Sequence, residues 1–260
     1  MPGGDVRKKA VRGIAWTVAI GLATRILQML GTLALTHFLQ RDAVGEVTNA
    51  AIVAMSAHTF TTLGIPHYLV NRKGDRAAAW HATVILGVTG LVAFALTLLF
   101  QAPLAAYLKS PGLGRYLPLL VLSAALTRIV VVPERLLHQR LQFAEASRAR
   151  GAGEIAYTVV SVVLAVLGEG GMAIVAGNLA RAVVCLVGVS LVMPLSEWAT
   201  PQPFDRRLVR EMLAYGLPLG VALLLGFAAR NWDNGVVSAL FGAAVVGAYN
   251  LAYNLADIPA

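Results

Sequence analysis

Four arginines stand inside long apolar stretches of this 260-residue chain: Arg25, Arg128, Arg181 and Arg230. A guanidinium stays charged at any depth and presents a planar fork of donors that matches phosphate or carboxylate oxygens two at a time. Four such charges in apolar surroundings cost on the order of 10 kcal/mol together on an insertion scale, so they must face other helices or a water-filled cavity. One intramembrane aspartate, Asp233, cannot neutralise four cations. The excess favours an anionic ligand over a cationic one.

The arginines sit in an order. Helical steps of three and four from Arg25 meet Thr17 and Gly21 on one side, and Gln28, Thr32 and Thr36 on the other. Residues so spaced share a face, so the first span carries a polar stripe with an arginine at its middle. Arg181 shares a face with Asn178, Cys185 and Gly188. Asn49, Ser56 and Thr59 lie near one face of the second span, which is the most polar. The expected cavity residues are therefore Arg25, Gln28, Thr32, Asn49, Asn178 and Arg181. Arg128, Arg230 and Asp233 form a second tier. Arg128, ahead of Pro133, could instead snorkel to headgroups, and Arg230 and Asp233, three residues apart, read as a structural intrahelical pair. Glu154 reads as a charge in the first turn of a helix.

Composition requires the helices that position these residues. Hydrophobic residues make up 58% of the chain and charged residues 13%, with mean hydropathy +0.71; a soluble domain carries about 25% charged residues. The runs do not alternate as barrel strands do. The expectation is an all-α membrane protein, a polytopic helical bundle with spans near 13–38, 44–70, 78–101, 116–137, 152–168, 171–193 and 212–236, and another from 242 onward. Residues 1–193 would form a first six-helix lobe, 194–211 a cytoplasmic linker, and 212–260 the start of a second, incomplete lobe. A short internal repeat supports two lobes of like orientation: Phe38-Leu39 through Val44-Gly45 match Leu240-Phe241 through Val246-Gly247 at an offset of 202.

The net charge of +8 would suggest nucleic acid in a soluble protein, but here the basic residues sit in short connections without interleaved aromatics. Fourteen of the 21 Lys and Arg residues fall on the side of the N-terminus and three on the other, which puts the N-terminus in the cytoplasm. The first apolar run is too long for a cleavable signal and contains Arg25. The lone Cys185 offers no disulfide, and the five scattered histidines have no ligand spacing, so no metal or cofactor is expected. No loop holds the paired acidic residues that a membrane-embedded transferase would need.

Several stretches carry a resemblance. Gly170-Gly171-Met172-Ala173-Ile174-Val175-Ala176-Gly177-Asn178-Leu179 resembles G-x-W-A-L-V-x-G-x-L, and Tyr215-Gly216-Leu217-Pro218-Leu219-Gly220 with Asn231-Trp232-Asp233 resembles a seventh helix with its aspartate. Val246-Gly247-Ala248-Tyr249-Asn250-Leu251-Ala252 is similar to G-x-Y-x-x-A, and Leu63-Gly64-Ile65 to F-G-L. By these motifs the chain resembles the polysaccharide-transport, Wzx-type branch of the multidrug/oligosaccharidyl-lipid/polysaccharide flippase superfamily. It departs from that pattern where Met172 replaces a tryptophan, and at Thr36-His37-Phe38-Leu39-Gln40-Arg41, where A-R-x-L-x-P is usual, so no role is carried onto His37. The resemblance implies no enzyme. It implies a flippase that moves a polyprenyl-pyrophosphate-linked oligosaccharide across the bacterial inner membrane by alternating access. Its partners would be membrane lipid, the anionic lipid-linked oligosaccharide and polysaccharide assembly proteins, with no nucleic acid. A lipid II flippase and a cation-coupled multidrug exporter are the alternatives. Members of the superfamily have 12–14 helices, so the resemblance implies that the chain is truncated.

Overall fold

The computed structural model describes residues 3–72 and 75–256. Lys73 lies outside them, as do the side chains of Arg7, Lys8, Lys9, Arg12, Thr17 and Arg41. Among the described residues the chain is predominantly helical, with no strand, and six helices are long and apolar enough to cross a membrane. It is an all-α polytopic membrane protein. The helices are α1 (Gly3–Phe38), α2 (Arg41–Thr62), α3 (Ile65–Asn71), α4 (Arg76–Tyr107), α5 (Leu113–Gln139), α6 (Phe143–Val166), α7 (Met172–Val192), α8 (Arg206–Phe241) and α9 (Ala243–Ala256). The six do not include α2, whose threonines, Asn49, Ser56 and His58 lower its hydropathy.

Several boundaries differ from the expected spans, among them α1 starting at Gly3 and α4 ending at Tyr107, and three of the differences bear on the packing. The second span, read as continuous over 44–70, is broken. Leu63 and Gly64 both take the left-handed conformation (φ 51° and 62°) and Pro66 follows in the first turn of α3. Proline has no N–H to continue the α2 ladder, and glycine reaches positive φ without a Cβ clash. α8 seats this break: its Gly216 and Gly220 are four residues apart on one face, and a Cβ on Gly216 would run into the Leu63 carbonyl. Small residues spaced this way let two backbones approach closely.

The sixth helix is the second difference. It begins at Phe143, nine residues before the expected 152, because Arg140, Leu141 and Gln142 suffice to reverse the chain, with Leu141 at φ 59°. Arg148 and Arg150 are therefore helical. The third difference is at the linker, where α8 starts at Arg206 and leaves 193–205 as the connection. That connection is docked: Trp198 is buried, and Glu197 holds Arg76 at 3.3 Å and Arg140 at 3.2 Å. Asp205 caps α8, accepting from the Arg207 and Leu208 N–H groups at 2.8 and 3.2 Å, and its own N–H donates to His81 Nε2 at 3.0 Å.

Neighbouring contacts give the arrangement. α1 packs on α6, α6 on α7, α7 on α5 and α5 on α2, while α4 covers α5 and α2. Leu35 of α1 and Leu39 just after it join a core cluster with Ala165 of α6, Ala173 of α7 and Val44 at the start of α2, so these elements meet at that end. α8 and α9 pack on α2. α8 is tied to the arginine-rich end through Arg72–Glu211 at 2.5 Å. At the opposite end the Ser238 hydroxyl donates to the Leu108 carbonyl at 2.8 Å, and Lys109 Nζ donates to the Leu240 carbonyl at 3.1 Å.

Candidate functional site: a polar cluster inside the α1–α6–α7 wall

α6 and α7 meet through small residues. A Cβ on Gly177 would crowd Tyr157 and Ser161, one on Gly188 would meet Ala149 at 3.2 Å, and Gly153 lies under Cys185 and Arg181. Close approach of the two backbones leaves no gap for a long side chain between them, so Arg181 runs along α6. There its Nη1 meets Glu154 Oε1 at 3.4 Å and its Nη2 donates to Asn178 Oδ1 at 2.6 Å. Its guanidinium lies over the Tyr157 ring at 5.4 Å from the centroid, a cation–π arrangement. Asn178 is itself held, its Nδ2 donating to the Ile174 carbonyl at 2.9 Å. The Arg181 side chain keeps 37% of its surface open, and that of Glu154 keeps 18%.

The cluster faces the same way as the stripe of α1. α1 and α6 run in the same direction, since Gly151 lies against Ile20 and Thr24 while Gly31, further along, lies against Thr158. At ~100° per residue, Gln28, Thr32 and Arg25 come about 60–120° round α1 from that contact line in one sense. Glu154 and Tyr157 come about 40–100° round α6 in the opposite sense. In parallel helices that face each other, opposite turns point to one side. Ile155, Val159 and Val163 on the other side of α6 are exposed, as a lipid-facing strip is. The pairing of Gly31 with Thr158 also sets the level. It puts Arg25 opposite about residue 152, within one turn of Glu154.

The expected residues thus separate. Arg25 and Gln28 are exposed, Thr32 is half-buried, and all three lie on the inner side with Asn178 and Arg181. Asn49 does not join them: it is 1% exposed, enclosed beside Val47 and Ala50, and its Nδ2 has no partner among the described residues. Packing around α2 has claimed the face that the sequence assigned to a cavity. Arg128 does not snorkel. It is 1% exposed, with Nε and Nη1 unpartnered among the described residues, and it occupies the space left by Gly90, where a Cβ would sit 2.6 Å from Nη1.

Arg230 and Asp233 do not form the expected pair among the described residues. Arg230 is exposed, while Asp233 accepts the Tyr249 hydroxyl of α9 at 2.6 Å and its neighbour's N–H, that of Asn234, at 2.9 Å. Two members of the cluster, Glu154 and Tyr157, were not expected there. Because α6 begins at Phe143, Glu154 lies about three turns inside the helix and not in its first turn. The signal available was the run Arg150, Glu154, Tyr157 at helical spacing on one face.

These features define a membrane protein with a helical wall that carries a charged cluster on one side, and a known fold matches it. The structure is similar to a multidrug resistance MATE family transporter of the MOP superfamily, solved in an inward-facing conformation. The TM-score is 0.60 at 16% identity, over 95% of this chain and 61% of that one. The family model described as "Polysaccharide biosynthesis protein" matches residues 34–260, and the chain belongs to that family. It is 24% identical to the Lipopolysaccharide biosynthesis protein WzxC of Escherichia coli K12, over 98% of this chain and 52% of that protein. It is 19% identical to an uncharacterized membrane protein in the cps region of Klebsiella pneumoniae, over 98% of this chain and 53% of that one. The chain spans about half the length of the curated relatives it matches.

Proposed function

We propose that this protein is a flippase for surface-polysaccharide biosynthesis, carrying a polyprenyl-pyrophosphate-linked oligosaccharide across the bacterial inner membrane by alternating access. The observation that carries the reading is the pair Arg25 and Arg181, at one level on the inner side of the α1–α6–α7 wall. Family membership supplies the context of polysaccharide synthesis. Two guanidiniums against one carboxylate, Glu154, leave the cluster net positive, which suits a pyrophosphate and opposes a cationic drug. Cargo residues would be Arg25, Gln28, Thr32, Asn178 and Arg181. The arginine-rich end would be cytoplasmic, so a reporter fused after Pro203 would report cytoplasm and one after Gly112 the outer side.

Deleting the gene tests the function. The expected result is loss of surface polysaccharide together with build-up of the lipid-linked oligosaccharide on the inner leaflet. Normal polysaccharide in the deletion strain would overturn it.

A further inference from the structure

Arg181 is a half-open cation of the inner wall, and it is not idle. Its Nη2 is held by Asn178 at 2.6 Å, a firm contact to a neutral oxygen, and its ring partner Tyr157 fixes the plane of the guanidinium. Its contact with Glu154 is different in kind. At 3.4 Å it is long for a charge-assisted hydrogen bond, and only Oε1 takes part. Glu154 Oε2 is shielded from solvent and has no partner among the described residues. A carboxylate built as a structural clamp would use both oxygens on the fork, as bidentate pairs do. Here one edge of the fork is committed to Asn178 and the other is held loosely.

We infer that Glu154 is the resident occupant of an anion site, its carboxylate standing at Arg181 in place of a cargo phosphate and yielding to it. The inference rests on the proposed lipid-pyrophosphate cargo and adds a residue to it. Asn178 and Tyr157 keep the guanidinium in place while its partner changes. Glu154 therefore sets the affinity. It competes with the incoming anion for Arg181 and repels it, so binding stays weak enough for release on the far side. The carboxylate also spares the empty protein an unpaired arginine inside the membrane.

The test is binding to the purified protein in lipid nanodiscs, with farnesyl pyrophosphate as the lipid-anchored probe, inorganic pyrophosphate as the free one and farnesol as the uncharged control. Glu154→Gln keeps the shape and removes the competing charge. It should bind farnesyl pyrophosphate about tenfold tighter than wild type, the size expected when a like charge is taken from beside an anion. Adding Arg181→Ala to that variant should abolish the gain. A gain with both phosphate probes assigns recognition to the phosphates, and a gain with farnesyl pyrophosphate alone assigns it to the lipid-anchored form; either supports the exchange.

A second readout needs no variant. Carbodiimide labelling of Glu154 in the wild-type protein should rise when farnesyl pyrophosphate is added, because the carboxylate is released from Arg181. Unchanged or weaker binding by a folded Glu154→Gln, or labelling that stays flat while the wild type binds, would overturn the exchange and leave the cargo reading standing. Failure of the wild type to bind either phosphate probe would overturn both.

Discussion

Arg181 and Arg128 are the same residue in two regions of one bundle, and the regions treat it in opposite ways. Arg181 lies in the wall of α6 and α7, half open, with an asparagine, a carboxylate and an aromatic face around it. Arg128 lies where α4 and α5 close on each other, 1% exposed, with two of its nitrogens unpartnered among the described residues. Glycine makes the difference in both places. Between α6 and α7, Gly153 and Gly177 bring backbones together and push the long side chain out along the surface. Between α4 and α5, Gly90 leaves a hole that the guanidinium fills. A mid-membrane arginine is therefore not a cargo site by type alone; what the neighbouring helix leaves open decides it.

The largest effect should come from Arg181→Ala placed on the chromosome. Losing a charged partner costs about 1.5–3 kcal/mol per hydrogen bond, so surface polysaccharide should fall at least about tenfold. Immunoblots should find the protein in membranes within about twofold of wild type. Arg128→Met should act the other way. Replacing buried charge with apolar volume is often neutral or stabilising by about 1–4 kcal/mol, so the melting temperature in detergent should hold or rise and export should persist. A collapse of export in Arg128→Met with normal abundance would erase the contrast between the two regions.

Gly90→Ala sharpens it further. Overpacking costs about 1–3 kcal/mol, and the cost should largely vanish when Arg128→Met is added, a coupling that a double-mutant cycle measures. Arg25→Lys should keep part of the export, since lysine retains the charge and loses the fork. The smallest effect belongs to Asn49→Ala. Its enclosed Nδ2 already lacks a partner among the described residues, so melting should shift by no more than the equivalent of about 1 kcal/mol and export should be unchanged.

The sequence made the helical membrane class and the approximate spans plain, because twenty-residue apolar runs admit few other structures. It also picked out the stripe around Arg25 and the face shared by Arg181 and Asn178, since both follow from helical spacing within one element. What it could not supply was contact between elements. Asn49 and Arg25 look alike on a helical wheel, yet the packing around α2 encloses one and nothing described covers the other. Glu154 was misread because the basic residues at 148 and 150 suggested a loop. The three-residue reversal at 140–142 left them helical instead and moved the carboxylate to the middle of a span. The break at Leu63–Gly64 was signalled locally by Gly64 and Pro66, but its purpose, a seat for Gly216 and Gly220, lies more than 150 residues away.

The most direct measurement is transbilayer movement of a fluorescently labelled polyprenyl-pyrophosphate oligosaccharide in proteoliposomes, with protein purified from its native membranes. Wild type and Arg128→Met should both move the lipid, and Arg181→Ala should leave it in its starting leaflet. Equal transport by all three, or loss in Arg128→Met with transport intact in Arg181→Ala, would contradict the assignment of cargo to the α6–α7 wall.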